Sequence, residues 1–106
     1  MKMNDYFLAS KEVESEQTDW YLRTVLANFA GIELKMTNVG DISHMPAEVL
    51  DFDWACTTTL KYFRLGSCSA VNGKTMRVIA SRLAVMPDLT KVKFKNVRIS
   101  VKTESE

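Results

Sequence analysis

The sequence is poor in the residues that build metal centres and disulfide frameworks. It has one histidine, His44, and two cysteines, Cys56 and Cys68, among 106 residues. No pair of them has the short spacing that anchors a zinc site. Two cysteines without a secretory signal are typical of reduced thiols in a cytosolic protein, although spacing alone leaves a disulfide between them open. The sequence therefore predicts no metal, no cofactor and a cytoplasmic location.

Long apolar runs are also missing. No stretch approaches the ~18 apolar residues that a membrane span needs. The first residues contain one lysine, a broken apolar patch and then acids, which is not the pattern of a signal peptide. With 46% hydrophobic and 25% charged residues, the composition is that of an ordinary globular protein. We expect one domain over residues 1–106 and no membrane contact.

Catalytic motifs are incomplete. Gly73, Lys74 and Thr75 match the end of a phosphate-binding loop, but Cys68 stands where that motif needs its first glycine. A lone histidine with two ordinary cysteines is more often structural than catalytic. We therefore predict no enzyme and no small-molecule substrate. A weaker alternative is an anion held by free N–H groups at a helix start beside Lys74 and Arg77. The acids Glu48, Asp51 and Asp53 are interpreted as a solvated cluster.

Charge is plentiful but unevenly distributed. Residues 1–53 hold ten acids and four bases, a net of −6. Residues 54–106 hold ten bases and three acids, a net of +7, so the total is only +1. Such asymmetry is typical of proteins that bind nucleic acid or an acidic partner. The alternative is that the two halves neutralise each other within the fold.

Periodicity in the first half predicts a helix and a strand. Ser10 is placed to cap a helix over residues 11–30, whose apolar stripe is Leu22, Val25, Leu26 and Phe29. Alternation then predicts a strand over residues 32–39. Residues 46–65 fit either a helix or a strand, and we favour a helical turn at 46–51 followed by a strand at 56–65.

The second half is predicted to hold a loop, a helix and a strand. Residues 66–69 are expected to form the loop. A helix over 74–86 is favoured over a hairpin at Asn72-Gly73, and it leaves Val78 and Val85 facing water. Residues 91–102 alternate apolar and basic residues, with a change of phase at Lys95-Asn96. A bulge there would bury every apolar residue and put the bases on one face, whereas a turn would give two short strands.

The predicted fold is α+β: a single small domain with an antiparallel sheet of three to five strands and two helices packed on one face. No internal repeat is evident, and the basic face of the last strand is expected to carry no aromatic side chain. The predicted function is non-catalytic binding of nucleic acid or an acidic protein. The alternative is a protein–protein module or homo-oligomer acting through apolar patches. Candidate residues for the basic site are Lys91, Lys93, Lys95, Arg98, Lys102, Arg77 and Arg82, and those for the apolar interface are Trp20, Val78 and Val85.

Overall fold

A computed structural model describes residues 10–14 and 19–100, with side chains from residue 22 to residue 100. The elements follow in chain order. They are β1 (Ser10–Glu14), α1 (Asp19–Asn28), β2 (Glu33–Thr37), a 3-10 helix (Ala47–Leu50), β3 (Tyr62–Asn72), α2 (Gly73–Ala84) and β4 (Lys91–Ser100). The four strands form one sheet in the order β1-β2-β3-β4. The structure is thus a small α+β domain with two helices.

The predicted antiparallel sheet is wrong, because every strand pairs in parallel with its neighbour. Parallel neighbours need a crossover connection of a dozen residues or more. Here α1, the segment with the 3-10 helix, and α2 provide the three crossovers. Alternation of apolar and polar residues marks a strand in either direction, so the sequence pattern did not distinguish the two kinds of sheet.

The structure also contains an internal repeat that the sequence prediction missed. β2, β3 and β4 begin at residues 33, 62 and 91, so that successive strands start 29 residues apart. The non-glycine residues with positive φ angles keep the same spacing. They are Asn38 (φ 51°), Ser67 (φ 50°) and Asn96 (φ 57°). The repeat is therefore one of backbone geometry, and the residue types differ at most of the matching positions.

The change of phase in β4 lies where it was predicted, at Asn96, but its cause is different. The pairing of Gly66 with Lys95 and of Cys68 with Val97 shows no extra residue at that point. Both strands change direction at the same level of the sheet, because Ser67 and Asn96 both have a left-handed backbone conformation. The register shift between β3 and β4 instead lies between Cys68 and Val71.

The predicted helix over residues 11–30 is only partly correct. Residues 10–14 form strand β1, so Ser10 does not cap a helix, and α1 covers only Asp19–Asn28. The predicted apolar stripe is buried as expected, at Leu22, Val25, Leu26 and Phe29. Pairing of β1 with β2 outweighs the helical preference of this acidic segment.

In the middle of the chain, the helical turn at 46–51 is confirmed by the 3-10 helix. The strand predicted at 56–65 is correct only from Tyr62, where β3 begins. The loop predicted at 66–69 is wrong, because β3 continues to Asn72. The threonines that favoured a strand hold a turn instead. Thr57 donates its hydroxyl to the Trp54 carbonyl at 2.6 Å, and Thr59 donates to the Gly31 carbonyl at 2.7 Å.

The core lies between the inner face of the sheet and the helices, and Trp54 is at its centre. Trp54 is among the largest fully buried side chains of the described residues. Its indole N–H donates to the Leu50 carbonyl at 3.0 Å, and its ring centroid lies 6.2 Å from that of Phe63. The residue therefore ties the end of the 3-10 helix to strand β3.

Asn72 joins α2 to the segment that precedes the 3-10 helix. Its side-chain oxygen accepts from the Thr75 N–H at 2.9 Å, which caps the helix, and its amide donates to the carbonyls of Ser43 and Met45.

We expect Asn72→Ala to lower the free energy of unfolding by about 2–3 kcal/mol, since a cap and two further hydrogen bonds are lost. Asn72→Ser keeps a capping oxygen and should lose less. Urea denaturation measures both, and an alanine variant within about 0.5 kcal/mol of the native protein would contradict this role.

Candidate functional site

The outer face of the sheet carries five basic residues that come from three strands. Along β2 and β3, buried residues such as Leu34 and Phe63 alternate with side chains directed away from the core. The pairing aligns these outward positions in rows across the sheet. We define the outer face by Glu33, Lys35, Thr37, Tyr62, Arg64, Gly66, Lys91, Lys93 and Lys95.

On β2, β3 and β4 the outer face holds five bases and one acid, a net of +4. The register of β1 adds Glu12 and Glu14 to the same rows, beside Lys35 and Thr37, so the net over all four strands is +2. Lys35, Arg64 and Lys93 are register partners on three adjacent strands. Neighbouring strands lie about 4.8 Å apart, so the three cations form a short row across the sheet. Like charges at such positions disfavour each other, and an anion placed over the row relieves that repulsion.

Tyr62 lies within the basic surface, beside Lys91. The Lys91 Nζ is 5.5 Å from the centroid of the Tyr62 ring, which is the range of a cation–π contact. The basic side of β4 itself carries no aromatic residue, since Phe94 pairs with the buried Leu65, but the neighbouring strand adds Tyr62 to the same surface. Tyr62 belongs to β3 rather than to the basic strand, and only the register of β3 with β4 shows that the two residues are neighbours.

Arg64 is one of two half-buried cations of the outer face, the other being Lys35. The Arg64 Nε is buried and has no hydrogen-bond partner among the described residues, which is uncommon for a buried donor. The side chain lies against Gly66, where an added Cβ would be 3.8 Å from the Nε. A carboxylate suits a guanidinium because its two oxygens match two parallel N–H groups. Sequence reasoning missed this residue, although it stands 29 positions before Lys93.

The bases predicted on the 74–86 helix do not belong to this surface. Arg77 and Arg82 lie on α2, which packs on the opposite side of the sheet. Arg82 donates to Asp51 at 2.8 Å and to Asp53 at 3.0 Å, and the bond to Asp51 raises the pKa of the guanidinium. These exposed ion pairs contribute about 0–1 kcal/mol each. They engage Arg82 with two acids of the solvated cluster, Asp51 and Asp53. The described ranges hold no group of three or more possible metal ligands.

The N-terminus of α2 is a poor binding site for an anion. Arg77 lines a shallow groove of about 300 Å³ with Lys74, Asp51 and Val78. The N–H of Thr75, which an anion would need at this helix start, already donates to the side chain of Asn72. The weaker alternative of an anion site at this terminus therefore loses one of its donors.

The two valines of the predicted apolar interface differ in their exposure. Val78 is partly buried against the core, whereas Val85 is 61% exposed at the end of α2. Trp20 belongs to α1, but its side chain lies outside the described part, as does Lys102. Arg98 is exposed on β4 beyond the left-handed Asn96.

The predicted burial of the apolar residues of β4 is wrong. Val92, Phe94 and Ile99 are 42%, 44% and 46% exposed, and Val97 is half-buried. They lie in register with buried residues of β3, so they are on the core side of the sheet, as predicted. They remain exposed because β4 ends the sheet among the described strands.

Cys56 and Cys68 are both buried and free, so they are not paired with each other. Burial raises the pKa of the Cys56 thiol to about 11 and also raises that of Cys68. About one Cys56 thiol in a thousand is then ionised at pH 8, and thiolate is the reactive form.

We expect a thiol reagent to label the folded protein only as fast as it unfolds, whereas urea-unfolded protein should react at once. Rapid labelling of both thiols in the folded protein would contradict their burial.

Comparison with known proteins supplies no relative from which a role could be transferred. No family model matches the chain, and neither a curated protein nor a solved structure is significantly similar to it. Among the described residues, no helix is long and apolar enough to cross a bilayer. The functional argument therefore depends on the surface described above.

Proposed function

We propose that the protein is a non-catalytic binding module whose outer sheet face takes an acidic segment of a protein partner. The observation that carries this proposal is the grouping of five bases from three strands on a face that the helices leave uncovered. A cytoplasmic location is part of the proposal, because two free thiols are typical of a reducing compartment.

The dimensions of the surface favour a protein segment over nucleic acid. Three strands span about 10 Å across the sheet, and Lys91 to Lys95 spans about 13 Å along β4. Such an area neutralises only two or three phosphates, while duplex-binding proteins commonly contact six to ten. A duplex crossing the face would also pass over Glu33.

The architecture supports a binding role independently of the charge. Successive strands start 23, 29 and 29 residues apart, and all are parallel and in chain order, which is the arrangement of a solenoid. In residues 60–68 the order L-x-x-F-x-L-x-x-C is similar to the pattern of leucine-rich repeats. Stacked repeats of this kind present an extended surface that these proteins use for binding.

The proposal is tested by the salt dependence of binding to three anionic probes. Octaglutamate, a duplex DNA of about 12 base pairs and a single-stranded RNA of similar length are titrated at NaCl concentrations from about 20 to 150 mM. We expect octaglutamate to bind at low salt, and the duplex to show a slope of log K against log salt of only about −2 to −3. Absence of octaglutamate binding would overturn the proposal. A duplex slope steeper than about −5 would show a nucleic-acid surface larger than this face.

A further inference from the structure

The inner row of β4 is an apolar surface at the end of the sheet. Val92, Phe94 and Ile99 are 42–46% exposed, yet their partners on β3, Phe63, Leu65 and Val71, are at most 1% exposed. Phe94 has one aromatic neighbour, Phe63, at 6.3 Å between ring centroids. The described helices cover the β3 positions and leave the β4 positions open. Three large apolar side chains in one strand form a contiguous patch of the kind that marks an interaction site.

The backbone of β4 presents hydrogen-bonding groups at the same edge. The Lys91 N–H donates to the Lys61 carbonyl at 3.1 Å, toward β3. Alternate residues of a parallel strand turn their backbone groups to the same neighbour, so Lys93 and Lys95 also face β3. Val92 and Phe94 then turn their N–H and C=O groups away from β3, and no described strand lies beyond them.

We propose that the edge of β4 takes an extended strand from a protein partner in which acidic and apolar residues alternate. The proposal rests on the proposed function and adds the conformation and the pattern of the acidic segment. An added strand bonds through its main chain, and its alternate side chains meet the two faces of the sheet. Acidic residues of that strand lie beside Lys91, Lys93 and Lys95, while its apolar residues cover Val92 and Phe94.

The charge of β4 argues against a second copy of the same strand as the occupant. A two-fold pair of β4 strands would place both sets of lysines side by side across the new ladder. Like charges directly opposite each other destabilise such a pair. An acidic strand instead places opposite charges at the same positions. The occupant is therefore a different, acidic segment.

Peptides of equal composition test the pattern separately from the charge. The probe is an eight-residue Glu-Val alternating peptide, and the control is a block peptide of four glutamates followed by four valines. We expect the alternating peptide to bind at least about tenfold more tightly, which corresponds to about 1.4 kcal/mol. Methylation of the backbone nitrogens on one edge of that peptide should abolish the advantage, and methylation on the other edge should leave it intact. Equal binding of both peptides, with octaglutamate also bound, would overturn the strand addition and leave the proposed function standing. Failure of every acidic peptide would overturn both.

Two surface variants give an independent readout. Phe94→Ser should reduce the advantage of the alternating peptide at least threefold, since Phe94 lies at the centre of the apolar patch. Val85→Ser is the matched control, because Val85 is more exposed and lies at the end of α2. A thermal melt shows whether each variant is folded. Equal effects of the two variants would contradict a docking site on β4, and the methylated peptides decide the question if Phe94→Ser does not fold.

Discussion

Replacing Trp54 with alanine is expected to lower the free energy of unfolding by about 3–5 kcal/mol. The side chain is 2% exposed, contacts Phe63 and donates its N–H to Leu50, so its removal leaves a cavity and an unmatched carbonyl. A domain of this size has a total stability of about 5–15 kcal/mol, so the variant should be marginally stable. Urea denaturation followed by fluorescence or circular dichroism measures the change.

Val85→Ala is the control for the tryptophan experiment. Val85 is 61% exposed, and we expect its truncation to change stability by no more than about 0.5 kcal/mol. A similar loss in both variants would show that Trp54 is not the centre of the core. So would a Trp54→Ala protein that unfolds within about 1 kcal/mol of the native one.

Reversing two charges on the outer face should weaken binding of octaglutamate at least about 30-fold at low salt. The variant is Lys93→Glu combined with Lys95→Glu, and each exposed charge contributes about 1 kcal/mol at close range. Two lost attractions thus correspond to about 2 kcal/mol, or about 30-fold because 1.4 kcal/mol is a factor of ten. The two new repulsions weaken binding further. The matched control is Lys74→Glu combined with Arg77→Glu, which changes the net charge equally on exposed positions of α2.

The comparison of the two double variants separates a site from a general charge effect. We expect the α2 variant to retain most of the affinity of the native protein, because its residues lie on the other side of the sheet. Equal weakening by both variants would mean that net charge alone governs binding. Greater weakening by the α2 variant would place the anion in the groove beside Arg77 instead.

Elements with strong local periodicity were predictable from the sequence. The apolar stripe of α2 and the alternation in β2 and β4 each give the element one apolar face, and the structure places these elements close to the predicted residues. Strand β1 was not predictable in this way. Its residues, Ser-Lys-Glu-Val-Glu, have the composition of a helix start, and pairing with β2 decides their conformation.

The outer face was predictable only in part. Alternation alone placed Lys91, Lys93 and Lys95 on a common side of one strand. The contribution of Lys35, Tyr62 and Arg64 depends on the pairing of three strands, which no local pattern reveals. The exposure of Phe94 was missed for a related reason. Alternation shows which face of a strand is apolar, but the covering elements determine whether that face is buried.

The most direct test of the account is an NMR titration of isotope-labelled protein with octaglutamate. We predict that the backbone amides of Lys35, Arg64 and Lys93 shift together in one saturable transition, since all three lie in the same row of the outer face. The amides of Lys74 and Arg77 on α2 should change little. Shifts confined to α2, or spread evenly over lysines and arginines on all sides of the molecule, would contradict the assignment of the binding surface to the outer face.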